Sequence, residues 1–356
     1  MSKATVAILF GGRSSEHEIS CLSAGGVLSA IDRDKYDVLL FGITKSGKWV
    51  LVPETHQLSI VEGKLPEVPA TAPVVMADVA GFSVAGKALP VDLIFPTLHG
   101  PYGEDGAIQG FFETADIPYV GSGVLASAVA MDKSFAKPIF QAHGLKVADG
   151  FTVTVKQWSE SKLDFQNKAD ALGYPLFVKP ARGGSSRGTT KVKSAEQLAA
   201  AIDEAHRFDP KAMIESAVVG LEIECAVLEI DGAPKASKVG QIKIDAKFEF
   251  YDFEAKYLDG ATDIIIPADV PESASDAIRA ASLAAFTSLG CSGLARVDFF
   301  FTNSGEIVIN EINTMPGFTA TSVFPKMWAA TGKSYREIVQ ALIDTALRRN
   351  NGVLGN

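Results

Sequence analysis

The chain has 356 residues, 47% of them hydrophobic and 21% charged, with a net charge of −9. That length exceeds one ordinary core and implies two or three domains, and the balance excludes a disordered chain. The acidic charge argues against a general nucleic-acid or membrane-surface partner, while a local basic cleft can still take a small anion.

The first segment, "TVAILFGG", reads as a buried strand ending in glycines. No run of about eighteen uncharged apolar residues occurs and the start has no signal-peptide cleavage pattern, so a cytoplasmic protein is expected. Cys21, Cys225 and Cys291 are far apart with no CxxC or metal spacing, which fits buried, reduced thiols. "SSEHEISCLSAGGVLSAI" follows as a helix, with Ser15 and Glu18 at capping-box spacing. "YDVLLFGIT" is a second strand, and residues 45–90 form a Pro- and Ala-rich insertion with short β pieces. "VDLIFPTLHG", a glycine loop and the helix "GAIQGFFETA" then repeat the strand–glycine–helix order. Such repetition predicts an α/β unit with a mostly parallel, doubly wound sheet, whose ligands sit beyond the carboxyl ends of the strands.

A helix near "MDKSFAKPIFQAH", closed by Gly144, opens a second region of β pairs. Its one good helix, "SAEQLAAAIDEAHRF", has Ser194 and Gln197 at capping-box spacing. From about residue 213 the chain becomes strand-rich again. A polar, aromatic stretch (241–262), a helix around 272–289, the hairpin "LARVDFFFTNSGEIVINEIN" and a helix near 334–349 complete it.

The hairpin is the most informative element. Period-two alternation puts Arg296 and Asp298 on one face, and Glu311 and Asn313 on one face of the returning strand. Two carboxylates and an amide oxygen make a hard oxygen site suited to Mg2+ carrying nucleotide phosphates. A solvated edge hairpin would have the same spacing. "LFVKPARGGSSRG" puts Lys179 at a strand end, followed by glycines whose N–H groups can face an anion and by Ser185, Ser186 and Arg187. It is not a GxxxxGK[ST] loop, and alone it reads equally as an ordinary hairpin. Lys133, Glu215, Glu222, Glu16, and His99 with Glu104 in a post-strand loop are further candidates, each with a bland reading as surface or cap residues.

In order, "LFGGRSSEHEIS", "FPTLHGPYGEDGAIQG", "SAVAMDKSFAK", "LFVKPARGGSSRG", "IESAVVGLEIECAV", "YDFEAKY", "GCSGLARVDFF" and "INEINTMPGFTATS" resemble the D-alanine–D-alanine ligases of the ATP-grasp superfamily. The resemblance spans residue 8 to about 345, with only 45–90 unmatched in detail. It implies an ATP-grasp fold of three domains: a Rossmann-like 1–130, a central lid domain 131–215, and a C-terminal domain 216–356, the later parts being α+β. It implies ATP and two Mg2+ ions, with Mn2+ an acceptable substitute, and a cytoplasmic homodimer acting on D-alanine for peptidoglycan precursor synthesis.

The resemblance also implies residue roles. Lys133 and Lys179 would hold phosphates, with Ser186 in the lid over them. Glu215 would meet the adenine amino group, the Val218 backbone the ring edge, Glu222 the ribose, and Phe250 the base. Asp298, Glu311 and Asn313 would hold the metal ions. Glu16 would take the first D-alanine's ammonium, networked with Ser185 and Tyr257, while His99 would lie by its carboxylate. Arg296 and the Gly317 N–H would form the oxyanion site, Ser322 would bind the second carboxylate, and Lys256 would reach the transferring phosphoryl group.

Two positions depart from the family pattern: Arg187 stands where a small aliphatic residue is common, and Ser216 where lysine is frequent. A D-alanine–D-lactate ligase is the nearest alternative, but Lys256 and Tyr257 together favour the dipeptide. An NAD-binding oxidoreductase lacks its GxGxxG here, and a non-catalytic nucleotide sensor would not need the full set of Asp298, Glu311, Asn313, Arg296 and Gly317.

Overall fold

The computed structural model describes residues 3–244 and 262–349, so Phe250, Lys256 and Tyr257 lie outside the described residues. Near the N-terminus, β1 (Ala4–Gly11), β2 (Tyr36–Ile43) and β3 (Trp49–Val52) are followed by a small sheet of β4 (Val75–Asp78), β5 (Gly81–Val84) and β6 (Lys87–Leu89), then β7 (Leu93–Pro96). The main sheet runs β3-β2-β1-β7, with β1 parallel to β2 and β7 and β3 antiparallel at the edge. Apolar β1 is buried on both faces, between a core that includes helix α1 (His17–Ala30) and one that includes α2 (Ala107–Thr114). The doubly wound expectation therefore holds. The insertion contributes β3 to this sheet and the β4–β6 sheet beside it.

After α3 (Val124–Met131) and α4 (Lys133–Ala142) comes a second sheet with its own core. It contains β8 (Gly150–Thr154), β9 (Leu176–Pro180), β10 (Thr190–Val192) and β11 (Lys211–Ser216), with α5 (Val155–Glu160), α6 (Lys162–Leu172) and α7 (Ala195–His206) between them. Its order is β10-β9-β11-β8, antiparallel throughout. The third sheet is built from β12 (Gly220–Ile230), β13 (Ala233–Ala236), β14 (Gly240–Ile244), β15 (Thr262–Ile265), β16 (Leu294–Thr302) and β17 (Ile307–Asn313), ordered β15-β14-β12-β16-β17 with β13 on β12. Among the described residues no helix is long and apolar enough to cross a membrane.

The first and third sheets share one core. Ile8, Phe10 and Phe95 pack in the same cluster as Ala226, Leu228, Phe318, Phe324 and Leu342. Helices Val323–Ala330 and Tyr335–Arg348 supply the last two of these, and the Tyr335 hydroxyl donates to the Phe318 carbonyl at 2.6 Å. Residues over three hundred positions apart are thereby fixed relative to each other.

Two capping expectations fail. The helix α1 begins with Glu16 as its N-cap and no side-chain cap, because the Glu18 carboxylate is drawn to Lys45 at 2.6 Å. At α7 the Ser194 side chain makes no cap bond, and Gln197 accepts instead from the Lys193 amide at 2.7 Å. Complete capping boxes form at Thr154–Gln157 and Ser334–Glu337. The cysteines are free: Cys21 and Cys225 are buried and Cys291 half-buried, and burial pushes their thiols up to about 12, 11 and 12.

The turn leaving β1 is tightly constrained. Gly11 has φ +87°, and a Cβ there would lie 2.4 Å from the Ile43 carbonyl oxygen and 2.6 Å from the Val68 side chain. Its amide donates to Ser20 Oγ at 2.8 Å, and Ser20 Oγ donates to the Thr97 carbonyl at 2.8 Å, joining the turns after β1 and β7. Gly11→Ala is expected to cost about 2 kcal/mol, combining left-handed backbone strain with a steric clash. Thermal unfolding measures this, and an unchanged midpoint would mean the turn yields freely.

Candidate active site

The second and third sheets face each other across a cleft of about 490 Å3. Strand alternation turns Phe177 and Lys179 of β9 toward it while Leu176 and Val178 enter the core. On β12, Glu222 and Glu224 face the cleft while Ile223 and Cys225 are buried, and on β16, Arg296 and Asp298 alternate with Val297 and Phe299. Lys133 and Lys137, four residues apart on α4, enter from one helix face. Ser185, Ser186, Ser216 and Val218 also line the cleft, whereas Arg187 is exposed.

Charges in the cleft are matched in chains. Glu215 is 4% exposed; Lys137 bonds its Oε1 and Lys179 lies 2.7 Å from its Oε2. Burial alone would push its carboxyl up, but the two lysines outweigh it and hold it at about 2. Lys137 is pulled down to about 8 by burial, since it shares one carboxylate with Lys179 and stands near Lys133. Lys179 also donates to Asn310 Oδ1 at 3.2 Å. Lys133 pairs with Glu311 at 2.8 Å and donates to the Gly183 carbonyl at 3.1 Å; although burial opposes its charge, Glu311 raises it.

The third sheet lines up its acids. Glu224 of β12 and Glu311 of β17 stand opposite Asp298 of β16 on either side, and Arg296 stands opposite Asn313. Arg296 forks onto both Asp298 oxygens at 2.7 Å, and its Nε is 3.2 Å from Glu224. Burial works against the guanidinium, yet Asp298 and Glu224 keep it charged well above the ordinary arginine value. Asn313 Nδ2 donates to Asp298 Oδ2 at 3.1 Å. Among the described residues no three His, Cys, Asp or Glu side chains converge as a metal cluster. The donor set is therefore two facing carboxylates and one amide, whose oxygen is an amide rotation away. That hard set fits a divalent ion completed by phosphate oxygens.

A second group of residues gathers beyond the carboxyl ends of β1 and β7. Glu16 accepts from Ser185 Oγ at 2.5 Å, which ties the glycine-serine loop to the start of α1. Ser185 and Ser186 hold φ of +50° and +55°, a left-handed geometry uncommon for serine. The Gly100 amide donates to Glu104, whose carboxyl is pushed up to about 8 by burial and then by Glu16. His99 Nδ1 is 3.0 Å from the Met315 carbonyl and its Nε2 is 3.0 Å from Ser23 Oγ. The Met315 carbonyl requires a proton on Nδ1, and burial lowers the ring's pKa, which favours the neutral form in which Nε2 accepts from Ser23 Oγ. Gly317 lies against Ser322, with 3.3 Å from a Cβ position to Ser322 Oγ, and Ser322 Oγ accepts from the Thr319 amide at 3.0 Å.

The expected residues thus fall into two adjoining groups, linked by Ser185, which lines the cleft and bonds Glu16. Phe250, Lys256 and Tyr257 lie outside the described residues. Lys137, Glu224 and Asn310 were not expected. Lys137 is signalled by its spacing from Lys133 and Glu224 by its alternation with Glu222. Asn310 is the extra residue of a bulge, since Asp298 pairs with Glu311 but Phe299 pairs with Ile309.

Family models described as D-ala D-ala ligase N-terminus and C-terminus match residues 5–122 and 139–344. A D-alanine--D-alanine ligase of Arthrobacter sp. (strain FB24) is 51% identical, covering 99% of this chain and 96% of that relative. The Streptomyces coelicolor relative of the same name is 46% identical, with 98% and 94% covered. Among solved structures, the VanG D-Ala:D-Ser ligase from Enterococcus faecalis gives a TM-score of 0.85 at 36% identity, covering 97% of this chain and all (100%) of that one. The D-alanine-D-alanine ligase from Coxiella burnetii gives 0.83 at 34%, with 98% and 96% covered. The chain belongs to the D-alanine–D-alanine ligase family, an ATP-dependent family that uses a divalent metal and has the ATP-grasp fold.

Proposed function

We propose that the chain joins two D-alanine molecules into D-alanyl-D-alanine at the expense of ATP, releasing ADP and phosphate, in the cytoplasm for peptidoglycan precursors. The observation that carries this reading is the Ser185–Glu16 bond, because it closes the glycine-serine loop over the junction between the lysine-lined cleft and the Glu16 group. The segments 1–130, 131–215 and 216–356 act in turn as amino-acid platform, lid and metal-binding domain.

In this reading Glu215 accepts from the adenine amino group, the Val218 backbone meets the ring edge, Glu222 holds the ribose and Phe250 packs on the base. Lys133 and Lys179 turn from Glu311 and Glu215 to the phosphates, with Ser186 in the lid above. Asp298, Glu311 and Asn313 hold two Mg2+ ions, which when bound neutralise phosphate charge. Glu16, with Ser185 and Tyr257, holds the ammonium of the first D-alanine, and neutral His99 lies by its carboxylate.

A carboxylate oxygen of that D-alanine attacks the γ-phosphorus and ADP leaves, giving an acyl phosphate, with Lys256 on the moving phosphoryl group. Ser322 holds the carboxylate of the second D-alanine. Its amine, after losing a proton, attacks the acyl carbon, and Arg296 with the Gly317 N–H stabilises the oxyanion. Collapse of the tetrahedral intermediate breaks the bond from carbon to the phosphate oxygen and releases phosphate. Water would destroy the acyl phosphate, so the closed lid is part of the chemistry.

Ser185→Ala removes the lid's bond to Glu16 and is expected to raise the ratio of phosphate released to dipeptide formed several-fold. Assaying both products in one reaction measures it, and a ratio unchanged at one would remove the lid from this role. The reading as a whole is tested with ATP, Mg2+ and D-alanine, with D-serine, D-lactate or L-alanine in competition, and products identified by mass. D-alanyl-D-alanine as main product supports it. A D-serine or D-lactate product at equal concentrations, or no turnover, overturns it.

A further inference from the structure

The buried lysine that the proposed mechanism leaves unused is Lys137. It is 5% exposed, sits one turn beyond Lys133 on α4, and bonds Oε1 of Glu215. The other oxygen of that carboxylate, Oε2, is taken by Lys179 at 2.7 Å. The two lysines differ in what else they reach. Lys179 also contacts Asn310 beside Glu311, so it already spans toward the metal end of the cleft. Lys137 comes from helix α4 and meets Glu215 three residues before Val218, which lines the same cleft.

An arriving triphosphate offers Lys179 stronger partners than Glu215, and Lys179 can turn to it without crossing the cleft. Glu215 would then lose half its compensation in a buried position, where a lone carboxylate tends to take up a proton. A protonated Glu215 would turn one oxygen into an O–H donor and accept more weakly at the other, so it could not offer both Oε1 and Oε2 as strong acceptors in the way the anion does. We propose that Lys137 is a positioning residue for the nucleotide base: it stays on Oε1 and keeps Glu215 ionised and oriented, so that Oε2, vacated by Lys179, accepts from the exocyclic amine of adenine. Selection of adenine over a base with a carbonyl at that position then depends on Lys137, which never touches the base. This rests on the reading of Glu215 as the adenine contact.

The test is equilibrium binding, which needs no turnover: the affinities of the full chain for ADP and for IDP, in Mg2+, by calorimetry. IDP carries an oxygen where ADP has its amine, so an ionised Glu215 rejects it. The wild-type chain is expected to prefer ADP by about tenfold or more, the range for a hydrogen bond to a charged group. Lys137→Met is expected to reduce that preference to within about twofold, and Lys137→Arg to retain most of it. A purely structural lysine would lower the fraction of protein able to bind while leaving the preference unchanged, and that result overturns the proposal. If Lys137→Met leaves too much unpaired charge to fold, the double variant Lys137→Met/Glu215→Gln removes both charges together. Its preference should equal that of Glu215→Gln alone, and a difference between them would show that Lys137 acts by another route. A wild-type chain indifferent to the base would instead remove Glu215 from base reading, and this inference with it. Ligase activity can stand or fall separately.

Discussion

Arg296→Met is expected to lower kcat for dipeptide formation by about two to three orders of magnitude, the loss measured for single oxyanion-hole donors elsewhere. The effect has two sources here. Arg296 is the cation that answers two facing acids, with both Asp298 oxygens at 2.7 Å and Glu224 at 3.2 Å. Removing it takes a donor from the oxyanion and leaves Asp298 and Glu224 facing each other across β12 and β16. A metal ion can take over Asp298, so Mg2+ should partly restore stability while leaving kcat low. Arg296→Lys keeps the charge but loses the fork, and should fall between the two. Phosphate release and thermal midpoint, each with and without Mg2+, separate these effects. A kcat within a few-fold of wild type would mean that Arg296 does not meet the oxyanion.

Glu215→Ala is expected to cost about 3–5 kcal/mol of folding stability, since it strands Lys137 and Lys179 without their shared partner. The pH dependence has a definite sign. Glu215 is depressed from an ordinary 4.5 to about 2 in the folded chain. Its contribution is therefore complete above about pH 4.5 and is lost as pH falls through about 2. In the variant that acid limb disappears. The stranded Lys137, already lowered to about 8, binds its proton less well folded than unfolded, so the variant should regain stability as pH rises through the alkaline range. Glu215→Ala/Lys137→Leu removes one stranded charge and should recover a substantial part of the loss. Equal stability of wild type and Glu215→Ala at neutral pH would contradict the charge chain.

Local pattern carried much of the architecture. Buried apolar strands ending in glycines were enough to predict the parallel sheet, because glycine and strand periodicity act over a few residues. Alternation likewise put Arg296 and Asp298 on one face of the hairpin, as found. Longer-range outcomes were not legible. The capping boxes at Ser15–Glu18 and Ser194–Gln197 had the right spacing, but Lys45 and the Lys193 amide compete for those side chains. Asn310 gained its place through a one-residue bulge that strand periodicity cannot foresee. The core shared by Ile8, Phe318 and Leu342 joins distant segments and fixes Gly317 and Ser322 relative to the first sheet. Periodicity says which residues are buried, and tertiary packing decides against what.

The central claim is that one D-alanine carboxylate is activated by direct phosphorylation within a closed site. It is tested most directly with D-alanine labelled in both carboxylate oxygens with oxygen-18, together with ATP and Mg2+. Attack of that carboxylate on the γ-phosphorus, then expulsion of phosphate by the second amine, must carry one labelled oxygen into each phosphate released. Phosphate bearing a single heavy oxygen, formed in step with the dipeptide, is the expected result. Unlabelled phosphate alongside dipeptide would mean activation without an acyl phosphate and would contradict the account.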